Sequence, residues 1–158
     1  MKAATVHELK KELSHLSQGE VIELCLRLAR FKKENKELLN YLLFEAHDEH
    51  AYIKGVNEEV SELFTEIPKG QGLYLAKKSI RKILRIVNKY ARYSGNKATE
   101  VELRLHYCDV LKNSGIRIQN STALYNLYLG QLKKIKTLTA TFHEDLQYDY
   151  NRRLEELE

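Results

Sequence analysis

Residues 73–93 read LYLAKKSIRKILRIVNKYARY. Plotted at about 100° per residue, they separate onto two sides of one helix. Ile80, Ile83, Leu84, Val87, Tyr90 and Ala91 share one side. Lys78, Arg81, Lys82, Arg85, Lys89 and Arg92 fall within roughly 60° of a single line on the other. No period-two alternation competes with this pattern, so the segment reads as an amphipathic helix. Its apolar stripe belongs to a core and its basic stripe faces away from it. The helix stops at Ser94-Gly95, where glycine supplies the left-handed cap that other residues resist.

The same helical spacing recurs toward the N-terminus. Thr5-x-x-Glu8 and Ser17-x-x-Glu20 are capping boxes, in which the hydroxyl takes an orphan amide and the carboxylate reaches back. The first opens a helix with Val6, Leu9, Leu13 and Leu16 on one face. The second opens a helix whose apolar arc includes Val21, Ile22, Leu24, Cys25, Leu26, Leu28 and Ala29. An arc that wide predicts neighbours on several sides. Asn35 is the expected cap of a third helix, and a fourth runs from about Asp48 to Glu66 with Tyr52, Ile53, Val56, Val60, Leu63 and Phe64 inward.

Toward the C-terminus a sixth helix covers about 98–113 and stops at Gly115. From Ser121 onward, Leu124, Tyr128, Leu132, Ile135, Leu138, Phe142, Leu146, Tyr150, Leu154 and Leu157 keep spacings of three and four. That pattern predicts one long C-terminal helix, with Gly130 and the threonines of 137–141 as the places for a kink or break. The expectation is therefore an all-α chain of six or seven helices arranged as αα hairpins. A compact bundle and a short αα superhelix both fit. Residues 1–158 read as one domain. The only proline, Pro68, and two of the seven glycines make 67–72 the best candidate for an internal boundary.

A length of 158 residues with 43% apolar content can bury a core without disulfides or metal. No run approaches the ~18 apolar residues of a membrane span. Met1 to Leu13 reads as a charged helix rather than a secretory leader, so a cytoplasmic location is expected. Cys25 and Cys108 each sit among apolar residues at helical spacing and read as inert core thiols.

The net charge of +4 is a cancellation. Residues 1–66 carry 9 bases and 13 acids, 67–143 carry 15 and 3, and 144–158 carry 2 and 6. No acid lies between Glu66 and Glu100, where Lys69, Lys77 and Lys97 join the six cations of the stripe. Like charges four residues apart repel by a few tenths of a kcal/mol each. A merely solvated face would interleave glutamates, so the unrelieved stripe points to an anion opposite it. Three sources compete. The acidic N-terminal half and tail of the same molecule could neutralise it. Nucleic acid could, through its phosphates, with Tyr90, Tyr93 and Tyr107 stacking on unpaired bases. An acidic protein partner or an anionic lipid surface is the third. Tyr41, Tyr52, Tyr125, Tyr128, Tyr148 and Tyr150 read as core-edge phenols.

Catalytic and metal motifs are not recognised. His47 and His50 share a helix face, but two imidazoles need further ligands and none is nominated. Glu12-Leu13-Ser14-His15 is one Glu-x-x-His motif where a di-iron bundle uses a pair. His106 lies about 200° round the helix from Cys108, which does not make a dyad.

Leu9-Lys10-Lys11-Glu12-Leu13, Leu16-Ser17 and Glu20-Val21-Ile22-Glu23-Leu24 resemble an uncharacterised bacterial family of small all-helical proteins. Asn88-Lys89-Tyr90, Tyr93-Ser94-Gly95, Thr99-Glu100-Val101-Glu102-Leu103 and His143-Glu144-Asp145-Leu146-Gln147-Tyr148 are similar to the same family. The resemblance implies an all-helical cytoplasmic protein and supplies no catalytic residue. The functional expectation is a non-enzymatic module without cofactor, using Lys78, Arg81, Lys82, Arg85, Lys89 and Arg92 to contact a polyanion, foremost nucleic acid. The rival expectation is a protein-interaction or structural scaffold whose stripe meets acidic protein surface.

Overall fold

A computed structural model describes residues 2–68, 70 and 72–158. Lys69 of the acid-free run, and part of the expected 67–72 boundary, lie outside the described residues. Among the described residues the chain is all-helical, with about 80% in helix and eight α-helices rather than six or seven. It divides into two compact units, 1–44 and 45–158. The 67–72 stretch falls inside the second unit, between its first two helices.

In the first unit, α1 spans Val6–Leu13, α2 Gln18–Phe31 and α3 Lys33–Asn40. Both expected capping boxes are present. Thr5 and Ser17 accept from the amides of Glu8 and Glu20, and each glutamate accepts the cap residue's own amide in return. Asn35 does not cap α3. Lys32 holds the cap position in extended conformation, and the Asn35 side chain donates to the Leu28 carbonyl at 2.8 Å, tying α3 to the end of α2. A π-helical turn, Tyr41–Glu45, follows. The three helices contain no buried residue. The wide apolar arc of α2 packs against α3 but is not covered on its other sides, contrary to the several neighbours expected.

The second unit is built round α6. Its helices are α4 Glu49–Thr65, α5 Leu73–Ser94, α6 Lys97–Asn113, α7 Thr122–Thr139 and α8 Glu144–Glu155, with a 3-10 turn at Ile118–Asn120. Helices α4, α5 and α7 all pack on α6, and α8 packs on α7. That is why α6 is buried nearly all round, through Val101, Leu103, Leu105, Tyr107, Cys108 and Leu111. The others bury one stripe each at helical spacing: Tyr52, Val56, Val60 and Phe64 from α4, and Leu124, Tyr128, Leu132 and Ile135 from α7. Each fully buried aliphatic chain, such as Ile80 or Leu111, stabilises the unit by about 2–3 kcal/mol. Gly95 adopts the left-handed conformation required by its capping role, at φ 65°.

The long C-terminal helix is two helices. Gly130 stays within α7, and the break comes at residues 140–143. The hydroxyls of Thr137, Thr139 and Thr141 each bond a carbonyl three or four residues back, which loosens a helix end. Gln147 then donates to the carbonyls of Ala140 and Phe142, and His143 caps α8. Side-chain hydroxyls fasten the elements at other points. Tyr52 donates to the Tyr90 carbonyl, Tyr107 to Ile80 and Tyr128 to Leu157.

Candidate nucleic-acid interface

The face of α5 opposite its core stripe is positioned by burial of Ala76, Ile80, Ile83, Val87 and Ala91. These five lie within about 40° of a line opposite Lys78. Sinking them against α4 and α6 leaves Lys78, Arg81, Lys82, Arg85 and Arg92 exposed, while Lys89 is half-buried. The structure thus brings the six expected cations together along one helix. Lys89 differs from the rest. Its ammonium lies 4.8 Å from the Tyr90 ring centroid and 5.9 Å from that of Tyr93, within cation–π range.

Carboxylates of α4 are the obvious internal counter-ions, since α4 packs on α5. Three of the four are engaged elsewhere. Glu59 accepts from the Tyr90 hydroxyl at 2.7 Å, Glu49 accepts from Ser94 and Thr99, and Glu58 pairs with Lys54. Glu100 and Glu102, at the base of α6, take Arg104 with Lys134 and Arg153 respectively. Among the described residues, no ion pair engages Lys78, Arg81, Lys82, Arg85 or Arg92.

A groove of about 530 Å³ runs along this face. Lys77, Lys78, Arg81 and Arg85 line it, with Tyr74 and Asn88, and no acid does so. Tyr74 sits in the first turn of α5 and is 81% exposed. It falls on the basic stripe because it is four residues before Lys78. Of the tyrosines expected to stack, Tyr107 is fully buried against Phe64 and is excluded from that role. Tyr90 and Tyr93 are half-buried and pack on each other edge to face. The exposed aromatic of the site is Tyr74, a residue the sequence reading passed over. Its spacing from Lys78 was the available signal.

Behind the groove lies a buried cation that the sequence reading also missed. Arg104 is 2% exposed. Its guanidinium donates to Glu100 at 2.7 and 2.9 Å, to Asn88 at 2.8 Å and to Gln131 at 2.5 Å. Lys134 approaches the same Glu100 oxygen at 3.1 Å. Burial alone raises the Glu100 carboxyl, but the hydrogen bonds and charges of Arg104 and Lys134 outweigh it and hold the group below the ordinary carboxylate range. Because Asn88 belongs to α5, Glu100 to α6 and Gln131 to α7, one guanidinium ties three helices behind the groove.

Other groups with chemical potential are committed to structure or isolated. His106 Nε2 lies 2.8 Å from the Ser61 hydroxyl, but that hydroxyl donates to the Asn57 carbonyl. The imidazole therefore donates to Ser61 and does not draw a proton from it. Burial keeps His106 below its ordinary range. Cys108 is fully buried, and burial pushes its thiol up to about 12. Cys25 is exposed, a correction to its expected place in a core, because α2 lacks covering neighbours there. His47 and His50 are exposed. Among the described residues no group of three or more His, Cys, Asp or Glu is placed to hold a metal ion, and no helix is long and apolar enough to cross a membrane. A larger cavity of about 960 Å³ has Asp109 and Arg117 as its ionisable lining among the described residues. No protein-family model matches the chain, and no curated protein or solved structure does so.

Proposed function

We propose that this protein is a non-enzymatic binding module that lays the basic face of α5 along the phosphate backbone of nucleic acid, with single strands preferred. The carrying observation is the row of exposed cations Lys78, Arg81, Lys82, Arg85 and Arg92, to which no carboxylate among the described residues is paired. Phosphates would supply the missing anions and release their counter-ions on binding. Tyr74, standing in the same groove, supports a single strand, whose bases are free to stack on a phenol. The cytoplasmic setting, the affinity with small all-helical bacterial proteins, and the stacking of 45–158 as αα hairpins in a bundle belong to the same proposal.

The test is fluorescence anisotropy of a labelled single-stranded oligonucleotide against rising salt. Five phosphate contacts give a slope of log affinity against log salt of about −3.5. Reversal of Arg81, Arg85 and Lys89 to glutamate is expected to abolish binding with helicity retained. Absence of binding at about 50 mM salt, where such contacts are strongest, overturns the reading. Equal or tighter binding of polyglutamate would transfer it to the acidic protein surface of the rival scaffold reading.

A further inference from the structure

Residues 2–44 hold thirteen large apolar side chains that are each 36–83% exposed, from Val6 on α1 to Phe44. They lie on several faces of the unit, Ile22 and Leu26 standing opposite Leu24 on α2. The openest seam is on α2, where Leu24, Leu28 and Phe31 follow each other at i, i+4 and i+7 with exposures of 40, 60 and 77%. Along one flank of this seam lie Glu20 and Arg27, of opposite sign and seven residues apart. The hydroxyl and amide of Ser17 bond the Glu20 carboxylate and hold it ionised.

We infer that this face is covered by a second copy of the chain, with α2 packed antiparallel on α2 of that copy. The charge pattern selects both the occupant and the direction. Two-fold symmetry makes an interface self-complementary, so a residue that meets another is met by it in turn. In an antiparallel pair, Glu20 faces Arg27 of the second copy, and Arg27 faces its Glu20. A parallel pair would instead set Glu20 beside Cys25 of the second copy and lose both ion pairs. Residues 1–44 carry 8 bases and 6 acids, so no strong net charge opposes self-association or calls for a partner of one sign.

Sedimentation equilibrium of the full chain tests this. The wild-type protein is expected to be a concentration-dependent dimer. Leu28→Glu is expected to be monomeric with unchanged helicity, since Leu28 is exposed within the chain. Arg27→Glu places like charges opposite each other twice and weakens association by about tenfold, less in high salt. Adding Glu20→Lys to Arg27→Glu is expected to regain most of that loss. A wild-type protein that remains monomeric throughout, with or without a different protein partner, overturns the inference. So does a Leu28→Glu variant that still dimerises. An Arg27→Glu dimer of undiminished strength overturns the antiparallel register.

Discussion

Two pairs in this chain have the same sequence spacing and opposite surroundings, which makes a controlled experiment. Glu58 lies 4.0 Å from the ammonium of Lys54 four residues earlier, with side chains 65 and 73% exposed. Glu100 accepts from Arg104 four residues later at 2.7 Å, with side chains 22 and 3% exposed. Exposed helix pairs contribute about 0.3–0.5 kcal/mol, so Glu58→Ala is expected to cost no more than that. Removing one partner of a buried pair costs about 3–5 kcal/mol, because the other charge stays in low dielectric. Glu100 keeps some solvent contact, and Arg104 retains Asn88 and Gln131 as neutral acceptors. The expected cost of Glu100→Ala is therefore at or below the foot of that range, about 2–3 kcal/mol. With a urea slope of about 2 kcal/mol per molar, the midpoint falls by roughly 1–1.5 M, against about 0.2 M for Glu58→Ala. Urea titration followed by far-ultraviolet circular dichroism and by tyrosine emission reads both. Coincident curves with unchanged slope are needed for the comparison to count as stability. Arg104→Met is expected to cost less than Glu100→Ala, since the carboxylate it leaves still has Lys134 at 3.1 Å and partial solvent. A Glu100→Ala variant within about 0.5 kcal/mol of Glu58→Ala would refute the account of Arg104 as a buried charge dependent on that carboxylate.

Further expectations concern other groups. The Glu100 carboxyl is depressed in the folded state, so its stabilisation is present above the ordinary carboxylate range and is lost as pH falls through the lower folded value. The advantage of wild type over Glu100→Gln should thus be constant above about pH 5 and shrink in acid, as measured by thermal melts across pH. An aromatic disulfide reagent should titrate Cys25 at once in the native protein and Cys108 only after denaturant is added. Tyr74→Ala should weaken single-stranded oligonucleotide binding by about 1–3 kcal/mol, the range of one base stack, while Tyr74→Phe retains it. Ser17→Ala should cost about 1 kcal/mol in the helicity of α2, read by hydrogen exchange of its first turn.

Most local signals in the sequence were faithful, the exception being Asn35, which bonds the Leu28 carbonyl instead of capping α3. The boxes at Thr5 and Ser17 and the stop at Gly95 each depend on residues within one turn, and each is present. The face of α5 was equally legible, because its buried and basic residues differ in kind as well as position. The break at 140–143 was legible as a place, through the threonines of 137–141, but not as a full stop, since spacings of three and four continue across it from Leu138 to Phe142 to Leu146. What ends α7 is a set of threonine and glutamine side-chain bonds that a count of apolar positions does not register. The Arg104 cluster was legible only in its Glu100 half. Asn88 and Gln131 are 16 and 27 residues away and meet it only through helix packing. Tyr107 illustrates the same limit. On a helix apolar nearly all round, position alone does not distinguish a phenol that stacks outward from one sealed inside. Cys25 shows the converse, since an apolar face is a core only if something covers it.

Asn88 connects the groove to the buried guanidinium, and this has a mechanical consequence. From Lys78 to Arg92 the stripe spans about 21 Å of straight helix. Its inner side is clamped by packing and by the Arg104 tie, so the cations are held at fixed intervals, unlike charges on a floppy basic tail. Under the proposed function such a face would act as a ruler. The ordering cost of its backbone is met when the chain folds, and a flexible polyanion bears the remaining adjustment on binding. Ligands of equal charge should then be ranked by how readily their own spacing conforms to the helix, and loosening the tie with Asn88→Ala should blunt that ranking more than it lowers the mean affinity.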